Sequence, residues 1–236
     1  MAFSEDVPPV VQHTNRWHGS AAAGLTLTRG NSESFLATAT AGAGRKWDLN
    51  EAMLGADAAY GTTKNRDTGN DTKTADAYHG FGQYNRLFTE RLYGYGRADG
   101  LYDAVADIKY RVTLGPGAGY YFIKEKRIDF CGELGPGYII EKLGNSEQKF
   151  ATLRVGDKFH CQLSDRARLW QIAEWLPRVD KFKNYIINAE IGIESDLRAD
   201  KKLSLRTYLQ DTYNSVPAAG RRKNDVKLVA AVAFKF

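Results

Sequence analysis

Asn224-Asp225-Val226-Lys227-Leu228-Val229-Ala230-Ala231-Val232-Ala233-Phe234-Lys235-Phe236 is the stretch from which the fold can be read. Val226, Leu228, Ala230, Val232, Phe234 and Phe236 are apolar at every second position, and Asp225, Lys227 and Lys235 fall between them. Side chains of a strand alternate between its two faces, so the pattern is one greasy face and one wetter face. The stretch ends on Phe236 with no polar tail. Water-soluble proteins rarely end on an exposed Phe, whereas the closing strand of an outer-membrane β-barrel ends in the aromatic girdle at the periplasmic interface. Phe234 and Phe236 are therefore expected to form the C-terminal element through which the barrel-assembly machinery handles the chain.

Composition agrees with that reading. In 236 residues there are 13 Tyr, 11 Phe and 23 Gly but only 6 Pro. Mean hydropathy is −0.46. The longest apolar run, Leu228 to Phe234, is seven residues, far short of the roughly 20 a transmembrane helix needs. A transmembrane barrel stays open, because half of each strand faces water. Net charge is +5, with Arg221-Arg222-Lys223 as the one tight basic cluster. It reads as a solvated loop tip, and no nucleic-acid module accompanies it. Residues 1–6 lack a charged n-region followed by an apolar core, so the barrel reading implies that a signal peptide has been removed.

Upstream, residues 1–16 carry Pro8-Pro9 and no alternation, which predicts a flexible periplasmic segment ahead of a single barrel domain at 17–236. From Trp17 the period of two persists. Ala21, Ala23, Leu25 and Leu27 oppose Ser20, Thr26 and Thr28; Leu54, Ala56, Ala58 and Tyr60 oppose Glu51 and Asp57; Leu203, Leu205 and Leu209 oppose Ser204, Arg206 and Gln210. The spacing predicts twelve antiparallel strands. The fourth, about 74–86, has no clear phase, because both of its faces carry aromatics and Gly. Connections after strands 2, 4, 6, 8 and 10 are expected to be tight. Those after 3, 7, 9 and 11 are expected to be long and polar, the asymmetry that outer-membrane barrels show. Trp17, Phe122, Phe130 and Phe159 are assigned to one aromatic girdle, and Tyr60, Tyr138, Phe150, Tyr185 and Tyr213 to the other.

Several motifs resemble a known family. Trp17-His18-Gly19-Ser20 with Gly24-Leu25-Thr26-Leu27-Thr28-Arg29-Gly30-Asn31 resembles its opening motif. Leu114-Gly115-Pro116-Gly117-Ala118-Gly119-Tyr120 and Glu133-Leu134-Gly135-Pro136-Gly137-Tyr138 resemble its central pair. The family is the YdiY-like group of salt-induced outer-membrane proteins, a class of unknown function, and the likeness spans about 17–236. It implies an outer-membrane location and no catalytic residues.

If strands six and seven form a hairpin, Pro116 and Pro136 fall nearly opposite each other. Two readings of Gly115, Pro116, Gly117, Gly135, Pro136 and Gly137 are open. One is a bend or bulge in the wall, since Pro cannot donate to the ladder. The other is a bare inner patch, extended by Gly119, that makes room for a bulky side chain or a solute. No helix start follows, so this is not a phosphate loop.

Ten ionisable residues fall on the predicted inner face: Asp57, Arg111, Asp129, Glu133, Arg154, Lys158, Glu190, Glu194, Arg206 and Lys227. Cross-strand pairing would set Glu133 near Lys158 and Glu194 near Arg206. Either these groups neutralise one another and fill the lumen, or they line a narrow hydrated pore. Cys131 shares the inner face and Cys161 the outer, which argues against a disulfide, and two cysteines are too few for a metal site. His79 is expected in the wall or a girdle. His18 and Ser20, two apart on one face, could open a lipid- or lipopolysaccharide-modifying hydrolase site, but they are predicted to point away from lipid. The expectation is thus an all-β outer-membrane barrel acting as a passive pore or structural envelope protein. It would be no enzyme and hold no cofactor or metal. It would be surrounded by outer-membrane lipid and lipopolysaccharide, with its oligomeric state open.

Overall fold

The protein is described here by a computed structural model that covers residues 15–28, 33–64 and 70–236. Most of the predicted lead-in, the turn at 29–32 and most of the polar stretch at 64–72 lie outside those residues. Twelve strands follow in chain order: β1 (His18–Thr28), β2 (Glu33–Trp47), β3 (Asn50–Lys64), β4 (Asp71–Leu87), β5 (Leu92–Asp103), β6 (Ile108–Lys124), β7 (Ile128–Leu143), β8 (Ser146–Ser164), β9 (Ala167–Pro177), β10 (Tyr185–Asp196), β11 (Leu203–Asn214) and β12 (Asn224–Lys235). Each pairs antiparallel with its chain neighbour, and β12 returns to β1, so the sheet closes into a barrel.

Polarity is inside out. Leu228 is 69% exposed and Leu25 64%, whereas Glu133 is 3% and Arg206 1% exposed. The rows that water-soluble proteins bury form the outer wall, and the charges are enclosed. Strands run from 11 residues in β1 to 19 in β8. A tilted strand needs about 9–11 residues to cross hydrocarbon, and every strand here reaches that length.

The two ends differ. At the near end, where β1 starts and β12 stops, aromatic rings adjoin one another on the outer face. Tyr120 and Phe122 are 5.4 Å apart between centroids, Phe122 and Phe130 5.5 Å, and Phe130 and Phe159 6.4 Å. At the far end Tyr78 meets Tyr102 at 6.0 Å and Tyr185 stacks on Tyr213 at 5.6 Å. Phe150 does not join this girdle. Its position in β8 shares parity with Thr152 and Arg154, so it turns inward beside Ile139, Leu176 and Ile186. The connection after β7 also departs from expectation, because Leu143 pairs with Ser146 and leaves a tight turn. Gly144 at φ +59° supplies the left-handed residue that the turn needs. The polar residues thought to be a loop are the ends of β7 and β8.

Pro116 and Pro136 sit in a continuous register. Leu114 pairs with Tyr138 and Ala118 with Leu134, so no residue is inserted between them. The register shifts of this ladder lie instead at Ile108/Tyr110 and Tyr121/Ile123. The glycines there permit a close approach of backbones rather than a bulge. A Cβ on Gly115 would lie 2.6 Å from the Pro136 carbonyl oxygen, and one on Gly135 would run into the Pro116 carbonyl. Gly117 and Gly119 lie under the rings of Tyr95 and Tyr93, which pair with them across the β5–β6 ladder. Phe81 covers Gly55 and Trp170 covers Gly192 in the same way. Each bare patch is thus filled by the neighbouring strand's aromatic ring, laid flat on the wall.

The seam is short. Ser20 to Ala23 pair with Lys235 to Val232, while β1 pairs with β2 along its full length. Gly19 and Phe236 exchange backbone hydrogen bonds of 3.0 Å in both directions. A Cβ on Gly19 would stand 2.5 Å from the Phe236 ring.

Two glycine substitutions separate close approach from mere small size. Gly135→Ala should lower stability by about 1–3 kcal/mol, the usual cost of overpacking a tight site. Gly96→Ala, where an added Cβ meets nothing within 4 Å, should be neutral or mildly stabilising. Urea unfolding of the refolded barrel in detergent measures both.

Candidate functional site

The strand period places all ten of the predicted lumen residues on the inner face, and three networks gather most of them. The largest centres on Glu133 of β7. Its carboxylate accepts from Arg154 Nη1 at 2.6 Å, Tyr93 Oη at 2.8 Å, Gln83 Nε2 at 2.9 Å and Lys158 Nζ at 3.3 Å. Gln83 stands three strands away on β4, so this contact is a chord across the lumen rather than a ladder neighbour. Arg154 also donates through Nε to Glu174 at 3.0 Å and through Nη1 to Tyr95 Oη at 3.2 Å. Asn188 Nδ2 donates to Glu174 at 2.7 Å.

A second network surrounds Glu194 of β10. Arg206 Nε donates to it at 2.5 Å and Arg168 Nη2 at 2.8 Å, and Lys235 reaches it from the closing strand. Lys235 also pairs with Asp196 at 2.7 Å. Beside it, Glu190 accepts from Trp170 Nε1 at 2.5 Å and Gln210 Nε2 at 2.8 Å. The third lies on β3–β5. His79 Nδ1 and Asp57 Oδ1 hydrogen-bond at 2.8 Å, and His79 Nε2 lies 3.7 Å from Asp99, which Arg97 grips at 2.7–3.1 Å. His79 is therefore a lumen residue, not a girdle one, because β4 turns its odd positions inward. Arg111 and Glu141 pair at 2.6 Å nearer the far end. Asp129 and Lys227 face inward but join no ion pair among the described residues.

Pairing these groups solves a desolvation problem. A buried charge is tolerable when its partner and hydrogen bonds replace the lost water. Apolar clusters complete the filling. Trp170, Tyr208, Val229, Ala231 and Ala22 pack together inside β9–β12 and β1. At the far mouth Ala218, from the β11–β12 connection, is buried in one cluster with Leu101, Ile108 and Leu143 of β5–β7. That connection thus reaches the opposite side of the ring. The inner wall of β1–β2 is different. Gly24, Thr38, Thr40 and Gly42 remain half-buried and Thr26 is exposed, so the accessible side of the lumen is lined by hydroxyls and glycine.

Ser20 is 1% exposed on the inner face near the seam, shut away from the outer wall where a lipid substrate would arrive. Cys131 lies in the lumen, 3.6 Å from Tyr93 Oη, and pairs in register with Lys158; Cys161 lies opposite Ile128. Both are free thiols. Reading the sequence missed Gln83, Tyr93, Tyr95, Arg97, Asp99 and Glu174. For β5 the signal was available, since Tyr93, Tyr95, Arg97 and Asp99 share one parity.

The sequence matches the family model described as "Protein of unknown function, DUF481" over residues 21–236. No curated protein matches the chain. Among solved structures it is similar to the NanC porin at 6% identity, with 93% of this chain and 100% of that chain covered and a TM-score of 0.56. It is also similar to the translocator domain of the autotransporter NalP from Neisseria meningitidis, at 15% identity, 93% and 87% coverage and a TM-score of 0.48. The outer membrane channel DcaP of Acinetobacter baumannii gives 9% identity, 93% and 95% coverage and a TM-score of 0.45. The NanC likeness shows the barrel fold.

Glu133→Gln should cost about 1.5–3 kcal/mol, because it removes the buried negative charge that Arg154 and Lys158 share while leaving Arg154 on Glu174. Lys227→Gln should stay within about 0.5 kcal/mol. Equilibrium unfolding in detergent, followed by tryptophan fluorescence, compares the two.

Proposed function

The chain belongs to the DUF481 family of proteins of unknown function, and from that premise we propose that it is an outer-membrane barrel forming a narrow passive pore held nearly closed by its own ion pairs. The observation that carries this reading is the inside-out polarity: exposed Leu and Val rows outside, buried and paired charges within. The near end, with its tight turns and with Phe236 bonded to Gly19, would face the periplasm. The far end would face lipopolysaccharide, and the barrel-assembly machinery would engage the strand ending in Phe234 and Phe236. Small ions or hydrophilic solutes would pass along the hydroxyl-lined β1–β2 wall, beside the paired carboxylates and guanidiniums that set selectivity. Twelve strands enclose more room than the eight that side chains alone fill, and less than the sixteen of an open channel. A link to salt or osmotic stress would rest on the resemblance to YdiY-like proteins alone.

A sealed structural envelope protein is the second reading. It is favoured by the far mouth, where Ala218 is buried against the opposite strands. A lipid hydrolase is less well supported, because Ser20 is enclosed by the wall.

Planar-bilayer recording tests the pore. The wild type should give small, brief steps. Thr38→Trp should abolish them by filling the accessible wall, and a Glu133→Ala/Arg154→Ala double variant should give larger steps. Silence from both the wild type and a folded double variant would favour the sealed barrel.

A further inference from the structure

We propose that the outer wall carries a binding site for an anionic phospholipid of the periplasmic leaflet, resting on the membrane reading above. At one place on the outer face of β3–β6, four adjoining positions are Gly or Ala. Ala52, Gly82, Gly96 and Ala98 floor a groove of about 500 Å³, bounded by Trp17, Leu54, Tyr84 and Pro116. A Cβ placed on Gly96 meets nothing within 4 Å. Exposed Leu54, Tyr84, Leu92 and Leu114 stand around it, while Gly80 and Gly100 continue its bare floor along β4 and β5. The groove suits one acyl chain.

The groove alone names no occupant; the residues at its near end do. The register sets Arg45, Ala52, Tyr84 and Gly96 in one transverse row on four successive strands. The row below holds Trp47, Asn50, Arg86 and Gly94. Two guanidiniums thus flank the groove's near end, one to its side and one beneath it. Arg86 Nη1 donates to Asn50 Oδ1 at 2.9 Å, and Tyr84 Oη donates to the same oxygen at 2.6 Å. Arg45 lies 5.2 Å from the Trp47 ring centroid, and Trp47 stands 6.3 Å from Tyr84. Arg45 Nη2 donates to Asn15 at 2.7 Å, and its buried Nε has no hydrogen-bond partner among the described residues. The two side chains are braced by ring and amide, with donors left over. Nearby acids, Asp48 and Glu90, sit on the turns below the wall.

This is the arrangement that phosphate esters select. Guanidinium forks match phosphate oxygens in pairs, and Trp and Tyr hold the headgroup level. Two fixed cations and no facing carboxylate within the two rows favour a headgroup with net negative charge over a zwitterion. The occupant is therefore a phosphatidylglycerol-type lipid, its phosphate on Arg45 and Arg86 and one chain in the groove.

Native mass spectrometry of the detergent-purified barrel tests this with added phosphatidylglycerol or phosphatidylethanolamine. Wild type should retain phosphatidylglycerol in preference. Arg45→Ala/Arg86→Ala should weaken that retention about tenfold, the loss of one charge-assisted contact or more. Gly96→Leu should weaken both lipids alike by filling the groove, and it should fold, since a Cβ at this exposed position meets nothing within 4 Å. If the double variant does not refold, Arg86→Gln and Gly96→Leu decide the matter. Equal retention of both lipids by wild type, or unchanged retention by the variants, would overturn the site while leaving the membrane barrel intact. A chain that stays monodisperse without detergent would instead overturn the membrane reading on which the site rests.

Discussion

A backbone amide facing hydrocarbon has nothing to bond to, and every such group left open costs several kcal/mol. Closing the sheet removes that burden, and the other features of the barrel follow from it. Once β12 returns to β1, each strand has one face turned to oil and one to the interior, so the period of two becomes compulsory. A single residue slipped in any ladder would send charges such as Glu194 or Arg206 onto the apolar outer wall. Register is therefore the quantity the sequence must protect, and the tight turns at the near end and the interlocked glycine–aromatic pairs both fix it.

The interior meets a second constraint. Charges gathered inside a ring this size must pair or be hydrated, and here most of them pair. Glu133, Glu174, Glu190 and Glu194 each collect two or more donors from different strands. Some of those donors lie on adjacent strands, and others stretch across the bore. The chords matter mechanically, because a ladder holds neighbouring strands together while a chord such as Gln83–Glu133 resists flattening of the ring. The bulky groups crowd to the β4–β11 side, where glycines let tyrosine and tryptophan lie flat. That leaves the β1–β2 side with small hydroxyl residues and the remaining free volume.

The alternation made the barrel and its inner face legible, because parity is indifferent to distance. Asp57 and Arg206 can be placed inward from their own strands alone. Parity failed where side chains are missing. Gly80 and Gly82 leave the outer face of β4 without a signal, while His79 and Phe81 supply one that looks apolar from either side. It also failed at the far end, where β7 and β8 are long and their polar ends resemble a loop. Phe150 was misplaced by its chemistry: an aromatic near a strand end suits a girdle, and only its parity with Arg154 shows that it turns inward. The partners across the bore were beyond reach, since Gln83 meets Glu133 through ring curvature, which no local pattern encodes. The Gly-Pro-Gly pair was visible as a gap, but what fills it, Tyr93 and Tyr95, comes from the next strand over.

The short join between first and last strands has a consequence for how the cylinder comes apart. Among the described residues, the β1–β12 ladder runs from Ser20 to Ala23, with the Gly19–Phe236 bonds just below it, near the end that would sit in the periplasm. Beyond Ala23, toward the outer leaflet, the two edges lie side by side without a described ladder. Local opening follows the least-bonded backbone. Deuterium would therefore enter at Gly24 to Leu27 ahead of Ala21 and Ala22, and unzipping would begin among lipopolysaccharide and travel inward, with the Gly19–Phe236 clasp the last to let go.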